Sequence, residues 1–396
     1  MKTRLLFVIG SLQAGGAERS LVSLLNALPK EQYDIDLMLR PKGDFFLPLV
    51  PENVHLIEPC TAWQCLGESP TNWRFYARLG LKWWLRKVVR WQRARCCHQP
   101  FSPFQDLWRR WREDMQSPAY SYDVAVGYLD GFPNWFVIDS VNAKRKLLWV
   151  HNDYDKLEYR PVFDAPYFNR ADKVVTISED CRKSLLRNFP DIAPSKFVVL
   201  ENISDGGMIR KMAQEAQHDE LFDNCKTKRI VSVGRLTEQK NYTLALKAAA
   251  KLKERIGFTW FVIGEGDLRK QLEAERDALG LRDNVFFIGL RRNPYYYMRK
   301  ADCIVMSSLF EGKSIAIDEA KILGCPIVST NYPTVKDNIV SGVNGLVTEL
   351  SPDALVDGIF RMLTDVGLRA RISESLKNEK VGNMEELHKY MKLFDA

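Results

Sequence analysis

Short apolar runs alternate with helical patterns along both halves of the chain. The runs that predict strands in the first half are residues 5–9, 33–39, 123–127, 147–150, 173–177 and 197–200. After the first run, Leu21, Val22, Leu25 and Leu28 recur at helical spacing, which predicts an amphipathic helix beginning near Ala17. Strands that alternate with helices in this way indicate a parallel sheet with helices packed on its faces.

The same alternation restarts after a polar stretch at about residues 204–228. The runs that predict strands there are residues 230–234, 260–264, 285–289, 303–307, 326–330 and 345–347. Helical patterns lie between them, as at 242–255 and 268–279. Two such series separated by a polar break predict an α/β protein with two doubly wound domains.

Composition narrows the class of protein. With 396 residues, 46% hydrophobic and 27% charged, the chain can bury a core and is not expected to be disordered. No stretch without Asp, Glu, Lys or Arg exceeds the 14 residues 322–335, whereas a spanning helix needs about 20 apolar residues. The eight cysteines show no CxxC or metal-ligand spacing. They predict free thiols in a reducing, cytoplasmic setting.

Positive charge is concentrated in residues 72–113. This segment has eleven Arg or Lys and two acids, a net charge of +9, whereas the whole chain has a net charge of +7. Six of the ten tryptophans lie in it as well. Interleaved aromatic rings and cations at helical spacing are typical of a membrane interface, although a nucleic-acid patch and an ordinary packed basic helix have the same composition.

Polar residues follow several of the predicted strands, where open parallel sheets bind their ligands. Arg235 follows the strand 230–234, and Lys240 comes five residues later. Two cations in this arrangement suit a diphosphate, although such a pair taken alone is more often two solvated side chains. Gly15 and Gly16 open the first helix, and paired glycines let a ligand approach a helix N-terminus closely.

Two glutamates, Glu311 and Glu319, frame the start of a predicted helix. Ser314 lies at the N-cap position, which leaves backbone N–H groups for an anion. The helix is otherwise apolar, so a glutamate buried in it needs a partner, and two adjacent ribose hydroxyls are suitable ones. His151 follows the buried strand 147–150. Taken alone it is more often a structural histidine, and no carboxylate cluster nearby indicates a metal.

Together these residues resemble the retaining glycosyltransferases of family GT4, which have the GT-B fold of two Rossmann-like domains facing a central cleft. The resemblance covers roughly residues 1–58 and 122–365. It is carried by Gly234-Arg235-Leu236 with Lys240, by Ile263-Gly-Glu-Gly-Asp267, by Ser308-Leu-Phe-Glu-Gly through Glu319 to Thr330, and by Ser341-Gly-Val-Asn-Gly-Leu-Val347.

The resemblance implies roles for the donor-site residues. Arg235 and Lys240 would hold the diphosphate of a nucleotide-sugar, expected to be a UDP-sugar, and Glu319 would bind its ribose. Glu311, with the backbone near Ser314 and Ile315, would hold the donor sugar and phosphate. The family often has Phe-Gly after the Glu-Gly pair, where this chain has Lys313-Ser314, so the details of the sugar pocket are not carried over.

On the acceptor side, Gly15 and Gly16 would line the cleft beside the phosphate, and His151 would contact the transferred sugar. The implied mechanism is a front-face displacement in which the leaving diphosphate takes the acceptor proton. No general-base pair of the glycosidase kind is then needed. The two cations make a divalent metal or another cofactor unnecessary.

The resemblance also divides the chain. Residues 1–204 would form the acceptor domain, with 59–121 as a basic, tryptophan-rich insertion, 205–375 the donor domain, and 376–396 a helical tail that returns to the first domain. The insertion would dock on an anionic membrane through Trp83, Trp84, Arg86 and Lys87. We therefore expect a peripheral enzyme at the inner face of the cell membrane, extending a lipid-linked surface polysaccharide.

Two alternatives stay open. One is a GT-B nucleotide-sugar epimerase, which would use the same donor site. The other is a nucleic-acid-binding protein that uses the segment 72–113. The preferred interpretation includes no nucleic-acid partner.

Overall fold

The computed structural model confirms both predicted strand series and adds one strand to the first. It describes residues 2–13, 15–39, 45–66, 71–73, 77, 80–96, 101–311, 314–379 and 382–396. The chain divides into two units, the first made of residues 1–202 and 385–396 and the second of residues 203–384.

Unit 1 is built on a seven-stranded parallel sheet in the order β3-β2-β1-β4-β5-β6-β7. Its strands are β1 Thr3–Val8, β2 Tyr33–Met38, β3 Val54–Ile57, β4 Tyr122–Gly127, β5 Ala143–Val150, β6 Lys173–Thr176 and β7 Phe197–Val199. Its helices up to residue 202 are α1 Gly16–Ala27, α2 Thr61–Leu66, α3 Leu81–Cys96, α4 Pro103–Trp111, α5 Phe132–Ser140, α6 Pro161–Arg170 and α7 Glu179–Asn188. The four-residue edge strand β3 was not predicted, because only Val54 in it is buried.

Unit 2 is built on a six-stranded parallel sheet in the order β10-β9-β8-β11-β12-β13. Its strands are β8 Lys228–Val233, β9 Phe258–Ile263, β10 Val285–Gly289, β11 Cys303–Met306, β12 Ile327–Thr330 and β13 Leu346–Thr348. Its helices are α8 Gly206–Gln214, α9 Glu220–Asp223, α10 Tyr242–Leu252, α11 Arg269–Ala278, α12 Tyr295–Arg299, α13 Ile315–Ile322, α14 Pro352–Thr364 and α15 Val366–Asn378.

The order of strands reverses once in each sheet. In unit 1 the reversal lies between β1 and β4, and in unit 2 between β8 and β11. The loops after these strands diverge toward opposite sides of the sheet, which leaves a crevice at their carboxyl ends. Arg235 and Glu311 follow the two strands at the reversal in unit 2, so the topology places both residues at this crevice.

The final helix of the chain, α16 Glu386–Asp395, belongs to unit 1. The Arg145 guanidinium donates to the carbonyl of Leu393 at 2.9 Å, and the hydroxyl of Tyr33 donates to the Asp395 carboxylate at 3.0 Å. The ring of Phe394 meets that of Phe7 edge-on. The chain therefore passes from unit 1 to unit 2 near residue 202 and returns near residue 385.

The tryptophan-rich insertion packs onto unit 1. Trp108 and Trp111 of α4 are fully buried in its core, and Trp83 of α3 stacks on Trp111 with ring planes 8° apart. None of the helices in the described part of the chain has both the length and the hydropathy that crossing a bilayer requires.

Candidate functional site

Glycines bring the ends of β8 and β9 unusually close in unit 2. A Cβ at Gly264 would lie 1.9 Å from the carbonyl oxygen of Gly234, and one at Gly266 would lie 2.4 Å from that of Leu236. Real side chains do not tolerate such contacts, so only glycine fits at both positions. This packing fixes the loop that starts at Gly234 and presents Arg235.

The two predicted cations, Arg235 and Lys240, differ in the contacts of their side chains. Arg235 is exposed, and within the described ranges its side chain has no hydrogen bond or ion pair. Lys240 instead forms an ion pair with Glu311. An exposed guanidinium without a partner retains its full capacity to bind an anion, whereas the charge of Lys240 is already balanced.

Glu311 is the centre of a polar cluster. Its carboxylate accepts from the Ser308 hydroxyl at 2.6 Å and from the Gln239 amide at 3.4 Å, in addition to its pairing with Lys240. Burial, and to a smaller extent proximity to Glu311, raises the pKa of Tyr242. The cluster joins residues about 70 positions apart, which a local sequence pattern cannot show. Gly312 and Lys313, next in the motif, lie outside the described residues.

Glu319 is placed as predicted, inside α13 and 2% exposed. Its Oε1 accepts from the hydroxyl of Tyr295 at 2.7 Å, a partner that the sequence analysis missed. Ser314 occupies the N-cap position of α13, but its hydroxyl makes no capping hydrogen bond. It is buried and has no hydrogen-bond partner among the described residues, and Ile315 is the first residue of the helix.

In unit 1, Gly15 is the N-cap of α1 and Gly16 its first residue. A Cβ at Gly15 would lie 2.1 Å from Oε2 of Glu18. The Glu18 carboxylate therefore folds over the helix N-terminus, where it interacts favourably with the helix dipole. An anion approaching these glycines would have to displace it.

His151 lies directly after β5 and is 8% exposed. Neither ring nitrogen has a hydrogen-bond partner within the part of the chain that the structure describes. Burial lowers the pKa of His151 to about 4, because the charged form would lose its hydration. The ring packs against Tyr128, with centroids 5.0 Å apart. At neutral pH this is an uncharged imidazole.

Asp130, which the sequence analysis did not identify, holds the loop that carries His151. Its carboxylate accepts from the His151 backbone N–H at 2.9 Å and from the Asn152 amide at 2.6 Å. Burial raises the pKa of Asp130 to about 6, against the opposing effect of these hydrogen bonds. The signal available in the sequence was an acidic residue three positions after a predicted strand.

The residues predicted to face a membrane, Trp83, Trp84, Arg86 and Lys87, all make contacts within unit 1. Both tryptophans are partly buried against the core of unit 1, and Arg86 pairs with Asp114. The ammonium of Lys87, a residue only 6% exposed, donates to the carbonyl of Cys65 at 3.0 Å.

A different face of α3 is open to solvent. Leu81, Leu85 and Val89 are 68%, 48% and 43% exposed. Their spacing of four places them on one side of the helix, and Lys82 is exposed beside them.

The predicted site residues thus fall into two groups. Arg235, Lys240 and Glu311 surround the strand reversal of unit 2, with Ser314, Ile315 and Glu319 on the helix that follows. Gly15, Gly16 and His151 belong to unit 1. No group of three or more His, Cys, Asp or Glu side chains suited to a metal ion occurs among the described residues.

Comparison with known proteins shows what this chain is similar to. The model of the family "Glycosyl transferases group 1" matches residues 213–379. A curated relative from Campylobacter jejuni is 29% identical over 233 residues, or 58% of this chain and 61% of its own length. It is the N-acetylgalactosamine-N,N'-diacetylbacillosaminyl-diphospho-undecaprenol 4-alpha-N-acetylgalactosaminyltransferase. The chain thus spans about 61% of that relative.

A second relative from the same organism matches at greater length. It is 24% identical over 388 residues, covering 94% of this chain and 92% of its own. Its name is GalNAc-alpha-(1->4)-GalNAc-alpha-(1->3)-diNAcBac-PP-undecaprenol alpha-1,4-N-acetyl-D-galactosaminyltransferase. Among solved structures, Anabaena HepE in complex with UDP-glucose aligns with a TM-score of 0.66 at 17% identity, covering 98% of each chain. The fold is GT-B, as the resemblance implied.

Proposed function

We propose that this chain is a group 1 glycosyltransferase that moves a hexose or N-acetylhexosamine from a UDP-sugar to a lipid-linked oligosaccharide, which the family model over residues 213–379 and the curated relatives support. The observation that carries the proposal is the set of charges at the strand reversal of unit 2. Arg235 is exposed and without a side-chain partner among the described residues, while Glu319 is a carboxylate held inside the sheet edge. A guanidinium suits a diphosphate, and a carboxylate suits two adjacent ribose hydroxyls.

The comparisons support the choice of donor and acceptor. The solved relative was crystallised with UDP-glucose, and both Campylobacter relatives are named for transfer to sugars linked to undecaprenol through a diphosphate. Both of those enzymes carry the prefix alpha for the linkage they make. A surface polysaccharide or oligosaccharide built on a lipid carrier is the corresponding product here.

The reaction we propose retains the configuration at the anomeric carbon. The bond between that carbon and the diphosphate oxygen breaks, and its electron pair leaves with the diphosphate. The acceptor hydroxyl forms the new bond on the same face and passes its proton to the departing oxygen. Arg235 stabilises the negative charge that develops there, and Lys240 contributes as it exchanges Glu311 for the phosphate.

His151 would contact the transferred sugar as a neutral group. Because its pKa is lowered to about 4, it offers one N–H donor and one nitrogen acceptor at neutral pH. Asp130 holds the backbone of this loop in place. Neither residue would be required as a general base.

A binding and turnover experiment tests the function. The purified chain is mixed with UDP and with short duplex DNA, and then with UDP-sugars with and without an undecaprenyl-diphosphate-linked acceptor. We expect UDP to raise the melting temperature, DNA to leave it unchanged, and sugar transfer to require the acceptor. Formation of an epimeric sugar from the UDP-sugar without any acceptor would indicate an epimerase instead. Stabilisation by DNA alone would indicate a nucleic-acid-binding protein.

Arg235→Ala is the variant that connects this assay to the site, and Arg361→Ala is its matched control. Both side chains are exposed in unit 2, but only Arg235 follows the strand at the reversal. Arg235→Ala should abolish stabilisation by UDP, and Arg361→Ala should keep it. Equal stabilisation of both variants would contradict the placement of the diphosphate.

For the membrane, we propose that the enzyme docks at its cytoplasmic face through Leu81, Leu85 and Val89, with Lys82 beside them. Apolar side chains exposed at a spacing of four can enter the interface of a bilayer. The excess of nine positive charges in residues 72–113 favours anionic lipid.

A vesicle assay tests this surface. Wild type should sediment with anionic vesicles more than with zwitterionic ones, and the triple variant Leu81→Ser, Leu85→Ser and Val89→Ser should lose this binding but keep UDP binding. A triple variant of other exposed residues, Val162→Ser, Leu221→Ser and Val366→Ser, is the control. No preference for anionic vesicles, or equal loss by both triple variants, would overturn the proposed surface.

A further inference from the structure

Three consecutive tyrosines in the five-residue helix α12 are all buried, and each donates its hydroxyl to a different carboxylate. Tyr297 donates to Asp219 at 2.7 Å, and Tyr296 donates to Asp223. Both acceptors belong to the segment around α9, where Arg291 and Lys300 also pair with them. These two contacts serve the packing of α9 against α12.

Tyr295 differs from its neighbours in the acceptor of its hydroxyl group. It donates at 2.7 Å to Oε1 of Glu319, and both side chains are almost completely buried. A carboxylate removed from water is strongly disfavoured unless its oxygens receive hydrogen bonds. The phenol therefore satisfies one oxygen of the buried Glu319 carboxylate and restricts its rotation.

The geometry points to Tyr295 as a positioning residue: we propose that its hydroxyl holds the Glu319 carboxylate in the orientation that binds the two ribose hydroxyls of the donor. Selectivity for ribonucleotides over deoxyribonucleotides would then depend on Tyr295 as well as on Glu319. The inference rests on the proposed function, because it takes Glu319 as the ribose ligand. Tyr295 itself need not touch the donor.

The test measures discrimination at the ribose. Dissociation constants for UDP and for 2′-deoxy-UDP are determined by calorimetry for the full-length wild type and for Tyr295→Phe. Sites built to bind a substrate hydroxyl reject the analogue that lacks it. Wild type should prefer UDP by about 10- to 100-fold, the effect of one hydrogen bond to a charged group. Removing a hydrogen bond to a charged group should weaken UDP binding about tenfold and reduce that preference by a similar factor.

Tyr297→Phe is the matched control. Tyr297 lies in the same helix, is buried to the same extent and donates to a carboxylate at the same distance. A purely structural effect of losing one buried tyrosine hydroxyl would appear in both variants. We expect Tyr297→Phe to retain the wild-type ratio of the two dissociation constants.

A double variant keeps the test decisive if Tyr295→Phe folds poorly because it removes one hydrogen bond to the buried Glu319. Glu319→Ala combined with Tyr295→Phe removes both members, so no buried charge is left unpaired. If Tyr295 acts through Glu319, the double variant should bind UDP with the affinity of Glu319→Ala alone.

The outcomes distinguish the role of Tyr295 from the assignment of Glu319 as the ribose ligand. If wild type prefers UDP, Glu319→Ala loses the preference, and Tyr295→Phe keeps it in full, the role of Tyr295 is wrong while the ribose assignment stands. A further loss of UDP affinity in the double variant would also overturn that role. If wild type binds both nucleotides equally, the ribose assignment fails, and the role of Tyr295 fails with it.

Discussion

The strand ends of the two sheets differ in their electrical character. Those of unit 2 carry charges that are matched to one another, with Lys240 paired to Glu311 and Glu319 held by Tyr295, and with Arg235 exposed beside them. Those of unit 1 present His151, an imidazole that burial keeps uncharged and whose nitrogens have no partner among the described residues.

Under the proposed function, the difference corresponds to the two kinds of chemical group in a nucleotide-sugar. A diphosphate and a ribose need cations and a carboxylate, which a protein can keep at a sheet edge only when they are paired or solvated. A sugar needs donors and acceptors without net charge, which a neutral histidine supplies. The following predictions test this contrast between a charged half and a neutral half.

The largest effect is expected at Glu319. Glu319→Ala should lower kcat/KM by about 10²–10⁴-fold, because two hydrogen bonds from ribose hydroxyls to a charged group are lost. The variant should also lower the melting temperature, since the buried Tyr295 hydroxyl loses its hydrogen bond to this carboxylate. Activity within a few-fold of wild type, with steady-state kinetics as the measurement, would show that this residue does not bind the donor.

Replacing Arg235 or Lys240 should have different effects on the stability of the protein but similar effects on its activity. Arg235→Ala and Lys240→Ala should each lower turnover about 10²-fold, the usual effect of removing one preorganised charge contact. Lys240→Ala should also destabilise the protein by about 1–3 kcal/mol, because Glu311 loses its ion pair. Arg235→Ala, at an exposed position, should not. Thermal unfolding of both variants checks the distinction, and equal stability would contradict the pairing.

The stability of the folded protein should depend on pH in a way that reports the charge of His151. A lowered pKa means that folded His151 binds a proton less readily than the unfolded chain does. Stability is then lost as pH falls from about 6.5 towards 4. At pH 5 the loss from this residue is about 2 kcal/mol relative to neutral pH.

The matched comparison is between wild type and His151→Gln. Burial raises the pKa of Asp130 and of Asp164 to about 6, and these groups stabilise the fold as pH falls from about 6 towards 4, the opposite sign. Both proteins retain them, so their contribution cancels in the difference. Denaturant unfolding at pH 7 and pH 5 should show wild type losing more stability than the variant. Parallel losses would mean that His151 is not neutral in the folded protein.

The smallest effect is expected from chelation. In the proposed donor site, Arg235 and Lys240 would supply the positive charge for the diphosphate. We therefore propose that EDTA leaves the transfer rate unchanged within error. A strict requirement for a divalent ion in the same assay would show that these two side chains are insufficient.

Much of the architecture followed from periodicity, because buried parallel strands are continuous apolar runs. The predicted strands at residues 5–9 and 230–234 match β1 and β8 within two residues at each end. The exception was β3, where His55 and Leu56 are exposed at the sheet edge. Its pattern therefore lacks the apolar signature on which the other predictions depended.

The side-chain partners could not be predicted in the same way. Lys240 and Glu311 are joined by the order of the strands rather than by local spacing, and Tyr295 reaches Glu319 from a neighbouring helix. The composition of residues 72–113 indicated cations and aromatic rings at a surface. It could not reveal that Asp114, beyond the segment, neutralises Arg86.

The buried ammonium of Lys87 makes this helix open to chemical footprinting. Held 3.0 Å from the carbonyl of Cys65 and 6% exposed, its amine should react far more slowly with acylating reagents than that of the exposed Lys82, five residues before it. Any event that lifts α3 from unit 1, at a vesicle surface or on warming, would expose that amine. Peptide mass spectrometry of the two lysines would then report the detachment of a single helix in a protein that otherwise remains folded.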